Sequence, residues 1–173
     1  MPKPWIAAVI TALVLAAPAG AQEVPEEPEP TPPCEESEEY ATLGLDGATE
    51  DVEPALIPAV GHDILEEPYR EEAVTRYRYR LDVSGSEELP TAIRADVRFA
   101  VTWDNDGDFD LYVYDADGEL LGSSTQFNPQ AGAGETVQLS QIDHCADLTV
   151  EIVNYLASPL TTMEMRTTVS RLR

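Results

Sequence analysis

From Ala73 to Val83 the chain reads AVTRYRYRLDV, in which Tyr77, Tyr79, Leu81 and Val83 alternate with Arg76, Arg78, Arg80 and Asp82. A period of two sends successive side chains to opposite faces of a strand, so this stretch predicts a strand with one buried face. Ser84 to Pro90 reads as a loop. AIRADVRFAVTW then repeats the alternation, with Ile93, Ala95, Val97, Phe99, Val101 and Trp103 expected inward and Arg94, Asp96 and Arg98 outward. DLYVYD follows, and Asp117-Gly118 is expected to turn it into ELLGSS as a β-hairpin. ETVQL, DLTVEIVNY and TTMEMRTTVS predict three further strands. No stretch here carries a helical stripe with caps. Seven short strands separated by turns predict an all-β fold over residues 69–173, a jelly-roll-like antiparallel sandwich. A mixed α+β fold would need a helix between Pro54 and Tyr69, which Pro54, Pro58, Gly61 and Pro68 oppose.

Upstream the alternation fades. Residues 22–68 read as an acidic, Pro-rich linker with room for a short first strand, since LGLDG and ALIPAV each suggest a strand or turn. Within it Glu23 to Glu39 is almost entirely Pro, Glu and small polar residues, too poor in apolar surface to offset the entropy of ordering. Before it stands MPKPWIAAVITALVLAAPAGAQ, with Lys3, an apolar run from Trp5 to Ala17 and the small residues Ala19-Gly20-Ala21. That order is the pattern of a secretory signal peptide over residues 1–21, and it predicts cleavage before Gln22 and export. As a helix the run reaches only about 20 Å, short of the roughly 30 Å of a bilayer core, so no membrane span is expected in the mature chain.

Charge narrows the partners. The chain carries a formal net charge of −23, and Gln22 to Pro68 holds 15 acidic residues with no Lys or Arg. Nucleic acid requires basic surface to displace its counterions, so it is excluded as a partner, and anionic membranes are disfavoured for the same reason. An extracellular polymer or protein remains open; oligomeric state is not legible.

WDNDGDFDLYVYD places Asp104, Asp106, Asp108 and Asp110 at every second position. Asp104 and Asp106 suit a solvated turn whose side chains bond nearby backbone N–H groups. Asp108 and Asp110 should share one strand face, where like charges need hydrogen bonds, Arg partners or a bridging cation. Two readings stay open: metal-free structural use, or one calcium on Asp108 and Asp110 with a third oxygen from Asp104 or Asp106. The spacing does not match a helix–loop–helix calcium loop, since Phe109 falls where Gly is required and Asp115 where Glu is required.

WDNDGDFDLYVYDADGELLGSS, followed by GETVQL and a strand closing on VNY, resembles the bacterial pre-peptidase C-terminal domains over roughly Tyr77 to Val169. Cys145-Ala146-Asp147-Leu148 departs from the Gly-x-Tyr entry common in that family. The resemblance implies an exported jelly-roll sandwich, of a kind that accompanies secreted hydrolases and in some cases binds extracellular polymers or calcium.

Catalytic constellations are not in evidence. His62 and His144 cannot make a three-His zinc site, and no His-x-x-x-His spacing occurs. Ser84, Ser123, Ser124 and Ser140 lack a nucleophile-elbow context. A carboxylate-dependent hydrolase has only the abundance of acids in its favour. The expectation is a non-catalytic binding or accessory module without an obligatory cofactor. Cys34 and Cys145 are expected to pair as a disulfide in an exported chain, the alternative being free thiols or intermolecular pairing. If their strands are neighbours, Arg76, Arg78, Arg80, Arg94 and Arg98 crowd one sheet face. That face is then either a solvated surface with cross-strand partners such as Asp82 and Asp96, or an anion-recognition patch masked by the chain's own acidic tail.

Overall fold

The computed structural model describes residues 29–55, 71–84, 93–127, 132–157 and 161–171. The expected signal peptide, His62 and most of the 84–90 loop lie outside these residues. Among them the strands are β1 (Ala41–Leu43), β2 (Ala48–Val52), β3 (Val74–Leu81), β4 (Arg94–Trp103), β5 (Gly107–Tyr114), β6 (Leu120–Ser124), β7 (Gly134–Asp143), β8 (Asp147–Ala157) and β9 (Met163–Arg171). A short 3-10 turn at Glu71–Ala73 leads into β3.

The pairing is nested. β5 pairs with β6, β4 with β7, β3 with β8 and β2 with β9, all antiparallel. Joining these pairs through β5–β8 and β4–β9 yields two sheets, ordered β3-β8-β5-β6 and β2-β9-β4-β7. That order is a jelly roll, one of the two all-β architectures the strand count allowed and the one the family resemblance implies. β1 is an addition, running parallel to β3 on the free edge of the first sheet.

Each predicted strand is present, and the inward rows form one core that includes Phe99, Trp103, Phe109, Leu111, Ile152 and Met165. Trp103 and Phe109 meet across the sheets at 5.2 Å between ring centroids, and Tyr79 and Phe99 at 6.0 Å. The Asp115–Glu119 hairpin turn is closed by Gly118 at φ +79°, a conformation that glycine adopts without a Cβ clash. At Gly122 a Cβ would come within 2.8 Å of Val137 and 3.2 Å of Leu139, so glycine lets β6 press against the other sheet.

Residues 22–68, expected as a linker with room for a short first strand, supply β1 and β2, and β2 is a full member of the second sheet. One expectation is corrected. Ile93 was expected inward but is 65 % exposed, since it precedes β4 and serves through its carbonyl, which accepts the His144 backbone N–H at 2.7 Å.

β2 evades an apolar pattern for a specific reason. Its inward side includes Glu50, whose carboxylate accepts the Tyr79 hydroxyl at 2.7 Å across the space between the sheets. Burial, with the Glu50 carboxylate beside it, pushes that hydroxyl far above the usual tyrosine range, so it stays a donor. Glu135, 3 % exposed, plays a similar part at the β6–β7 edge, accepting from the Ser124 hydroxyl and the Gln126 backbone N–H.

Phe99 is fully buried at the centre of the core. Phe99→Ala is expected to lower unfolding free energy by about 3–5 kcal/mol, from lost burial plus the cavity left behind. Thr102→Ala on the exposed face of the same strand should change it by less than about 0.5 kcal/mol. Urea unfolding of both variants measures the contrast.

Candidate functional site

The free edge of the first sheet carries a strap. Residues 32–43 run along β3 and are held there by side-chain and backbone contacts. Cys34 and Cys145 form the expected disulfide, with Cα atoms 5.5 Å apart. The Cys34 N–H donates to Asp82 Oδ2 at 3.2 Å. His144 accepts the Val83 N–H on Nδ1 at 3.2 Å, which leaves Nε2 as the protonated nitrogen in the neutral ring. That nitrogen donates to the Pro32 carbonyl at 2.9 Å. Arg80 donates to the Glu35 carbonyl at 3.0 Å and lies 5.6 Å over the Tyr40 ring. Arg78 pairs with Glu39. β1 then completes the strap by pairing Ala41 to Leu43 with Tyr79 to Leu81.

Asp82 anchors this end. Burial alone would push its carboxyl up, but donors from Ser84 and Cys34 and the neighbouring His144 outweigh it and hold the group below the usual carboxylate range. Cys34, His144 and Cys145 are the described residues whose ligand atoms cluster tightly enough for a metal. Both sulfurs are spent in the disulfide and both ring nitrogens on backbone groups, so the cluster is structural.

The five arginines do not form one face. β3 and β4 belong to different sheets, because the chain crosses the sandwich between them, and Arg76, Arg78 and Arg80 point away from Arg94 and Arg98. Cross-strand acids take up most of them. Arg80 forms a two-pronged pair with Asp147, at 2.6 and 2.8 Å, and Arg76 bridges Glu71 and Glu151. On the opposite layer Arg94 pairs with Asp143 at 2.6 Å, and Arg98 donates to the Thr136 hydroxyl at 3.4 Å. The partners proposed from sequence act elsewhere: Asp82 holds the strap, and Asp96 accepts the Gln141 N–H at 3.0 Å.

The four aspartates also divide. Asp104 sits in the β4–β5 loop and accepts the Thr162 N–H at 2.9 Å; the Thr162 side chain first, and then that N–H, hold its carboxyl below the usual range. Asp106 is exposed in the same loop. Asp108 and Asp110 lie on the β5 face opposite Phe109 and Leu111, as expected, yet are only 2 % and 7 % exposed. Asp110 accepts the Tyr112 hydroxyl at 3.5 Å. Among the described residues, no three of the four bring carboxylate oxygens within 4.8 Å of one another.

Sequence reading missed a second place, at the far end of β2. Residues 51–55 and 161–163 line a cavity of about 690 Å³. Its wall is pinned from the other sheet, because Asn154 donates to the Ala55 carbonyl at 2.6 Å and Thr75 to the Glu53 carbonyl at 3.1 Å. Residues 51–55 and 161–163 are remote in sequence and share no motif; only the β2–β9 pairing brings them together.

Two outcomes test the strap. The disulfide spans 111 residues, so Cys34→Ser is expected to cost about 4–5 kcal/mol in the chain-entropy model, and the unreduced parent should yield no alkylatable thiol by mass spectrometry. Asp82 titrates lower when folded than unfolded, so its contribution is present above about pH 4 and is lost as pH falls through the folded value. Asp82→Asn should therefore lower stability at pH 7 and flatten its decline below about pH 4, as read by urea titration across pH.

Neither a protein-family model nor a curated protein matches this chain. Solved structures do resemble it. The pre-peptidase C-terminal domain of collagenase from Bacillus anthracis is 8 % identical with a TM-score of 0.43, over 79 % of this chain and 100 % of that one. The insecticidal delta-endotoxin Cry8Ea1 from Bacillus thuringiensis is 14 % identical with a TM-score of 0.38, over 78 % of this chain and 26 % of that one. The carbohydrate-binding module CBM36, solved with calcium and xylotriose, is 12 % identical with a TM-score of 0.30, over 57 % and 72 % respectively.

Proposed function

We propose that this chain is an exported, non-catalytic binding module that works through its surface on an extracellular polymer or protein. One observation carries the reading: among the described residues, His144 and Ser124, side chains suited to chemistry, are engaged in holding the fold. His144 has both ring nitrogens on backbone groups, and the Ser124 hydroxyl donates to a buried Glu135. A general base needs a free nitrogen within reach of a proton, and His144 offers none. The core is filled by side chains, which leaves the outer faces and the sandwich end for ligands. The disulfide and the absence, among described residues, of a helix able to cross a membrane are consistent with work outside the cell.

A second reading has its own support. The acidic strap lies over Arg78 and Arg80, with Glu39 and the Glu35 carbonyl as their partners. This is the contact expected of a tail that covers a small anion-binding edge; Arg94 and Arg98 take no part in it.

Pull-down from insoluble polysaccharide and matrix-protein supports, with and without calcium, tests both. Retention without turnover of the same polymers is the expected result, and hydrolysis would overturn the non-catalytic reading. If the strap masks an anion site, Cys34→Ser should strengthen retention on an acidic polymer, and unchanged retention removes that reading.

A further inference from the structure

We infer that reduction of the Cys34–Cys145 disulfide turns the anchor of the strap into a zinc site, with Cys34 Sγ, Cys145 Sγ and His144 Nδ1 as its protein ligands. While the disulfide is closed the cluster is structural, since neither sulfur carries charge to donate. Reduction places two thiolates beside an imidazole, a donor set that suits zinc. The ligand atoms of the three residues already lie within 4.8 Å of one another, although Cys34 and His144 are 110 residues apart in the chain.

The spacing fits one ion. A thiolate at about 2.3 Å and an imidazole nitrogen at about 2.0 Å from a tetrahedral zinc stand about 3.5 Å apart. Cys34 Sγ is 3.6 Å from His144 Nδ1. It is as near to Nε2, at 3.5 Å, so on reduction it must swing toward the Nδ1 edge of the ring. The broken bond permits that swing, and Cys145, at the surface, is free to follow. The tautomer is already set. Nε2 donates to the Pro32 carbonyl at 2.9 Å, which keeps the proton off Nδ1, and a carbonyl in that place orients a zinc-bound imidazole. The Nδ1 lone pair takes the Val83 N–H at 3.2 Å, and zinc displaces it. Asp82 Oδ1, 3.9 Å from Nδ1, adds a negative charge that favours the cation. The Asp82 oxygens are engaged by the Ser84 and Cys34 N–H groups, so water takes the fourth position.

The reducing partner is a dithiol. Its first thiolate attacks Cys145 Sγ, on the exposed residue, and Cys34 leaves as a thiolate. Its second thiol then closes the reductant's own disulfide and frees Cys145, so two electrons pass from the dithiol to the protein. Zinc replaces the protons of the two thiols and releases both to solvent. Oxidation by a disulfide reverses these steps and expels the ion. The strap thus keeps an anchor in both states, a disulfide when oxidised and zinc when reduced. With neither, it rests on its ion pair to Arg78 and the short β1 ladder.

The test is to reduce the whole chain with a phosphine, exclude oxygen, and titrate it with Co(II) and then zinc. One equivalent of cobalt should give thiolate charge-transfer absorption and the visible bands of a tetrahedral ion, and one equivalent of zinc should bleach both. The oxidised chain should show neither. Zinc should release about two protons per ion near pH 7, and should raise the melting temperature of the reduced chain more than that of the oxidised chain. His144→Ala should weaken zinc binding by at least about tenfold. X-ray absorption at the zinc edge needs no variant, and should find two sulfurs at about 2.3 Å beside lighter ligands. Zinc held by oxygen and nitrogen alone, as surface carboxylates would hold it, overturns the inference. So do unchanged affinity in His144→Ala, equal affinity for the chain unfolded in urea, or a reduced chain that zinc does not stabilise.

Discussion

Burial of one row of side chains per strand, between two sheets, is the constraint on which everything else rests. Ala95, Val97, Phe99, Val101 and Trp103 lie inside β4 while Arg98, Ala100 and Thr102 line its other side, and every paired strand must respect that phase. A slip of one residue in β4 would carry five core residues into water and three polar or small ones inward. At roughly 25 cal/mol per Å² of apolar surface, such a slip is prohibitive, so register is set by burial before any specific contact forms. The strap, the ion pairs and the end cavity are then placed by that register.

What the alternation carries, it carries well. Seven strands and the Asp117-Gly118 hairpin are where the period of two puts them, because their inward rows are mostly apolar; Glu135 in β7 and Thr167 in β9 are buried exceptions, and β6 is largely exposed. β2 was illegible for a physical reason. Its inward row is Ala48, Glu50 and Val52, and a carboxylate among core positions reads as a solvated segment unless its partner is known. That partner, Tyr79, is 29 residues away on the opposite sheet. The disulfide could be read from two cysteines and a compartment. The arginine face could not, since alternation says which side of a strand a residue occupies but not which sheet receives the strand.

The same limit governs the aspartates. Spacing puts Asp108 and Asp110 on one side of β5, and they are there. It does not say that the outward side of this sheet is itself covered near Ala73 and Val153, so that both carboxylates are removed from water. Their burial, like that of Glu50 and Glu135, comes from tertiary packing.

The two ends of this acidic chain treat charge in opposite ways. On the β3 edge, acids and bases are matched: Asp147 with Arg80, Glu39 with Arg78, Glu71 and Glu151 with Arg76. Exposed pairs of this kind contribute little stability individually, and here their geometry serves to lay the strap in one place. Around the cavity the matching stops. Asp51 stands directly across from Glu164 in the β2–β9 ladder, an arrangement that disfavours pairing, and Arg166 approaches Glu164 only to 3.7 Å. Like charges in register on neighbouring strands repel, so the buried rows of β2 and β9 hold this register against a local electrostatic cost.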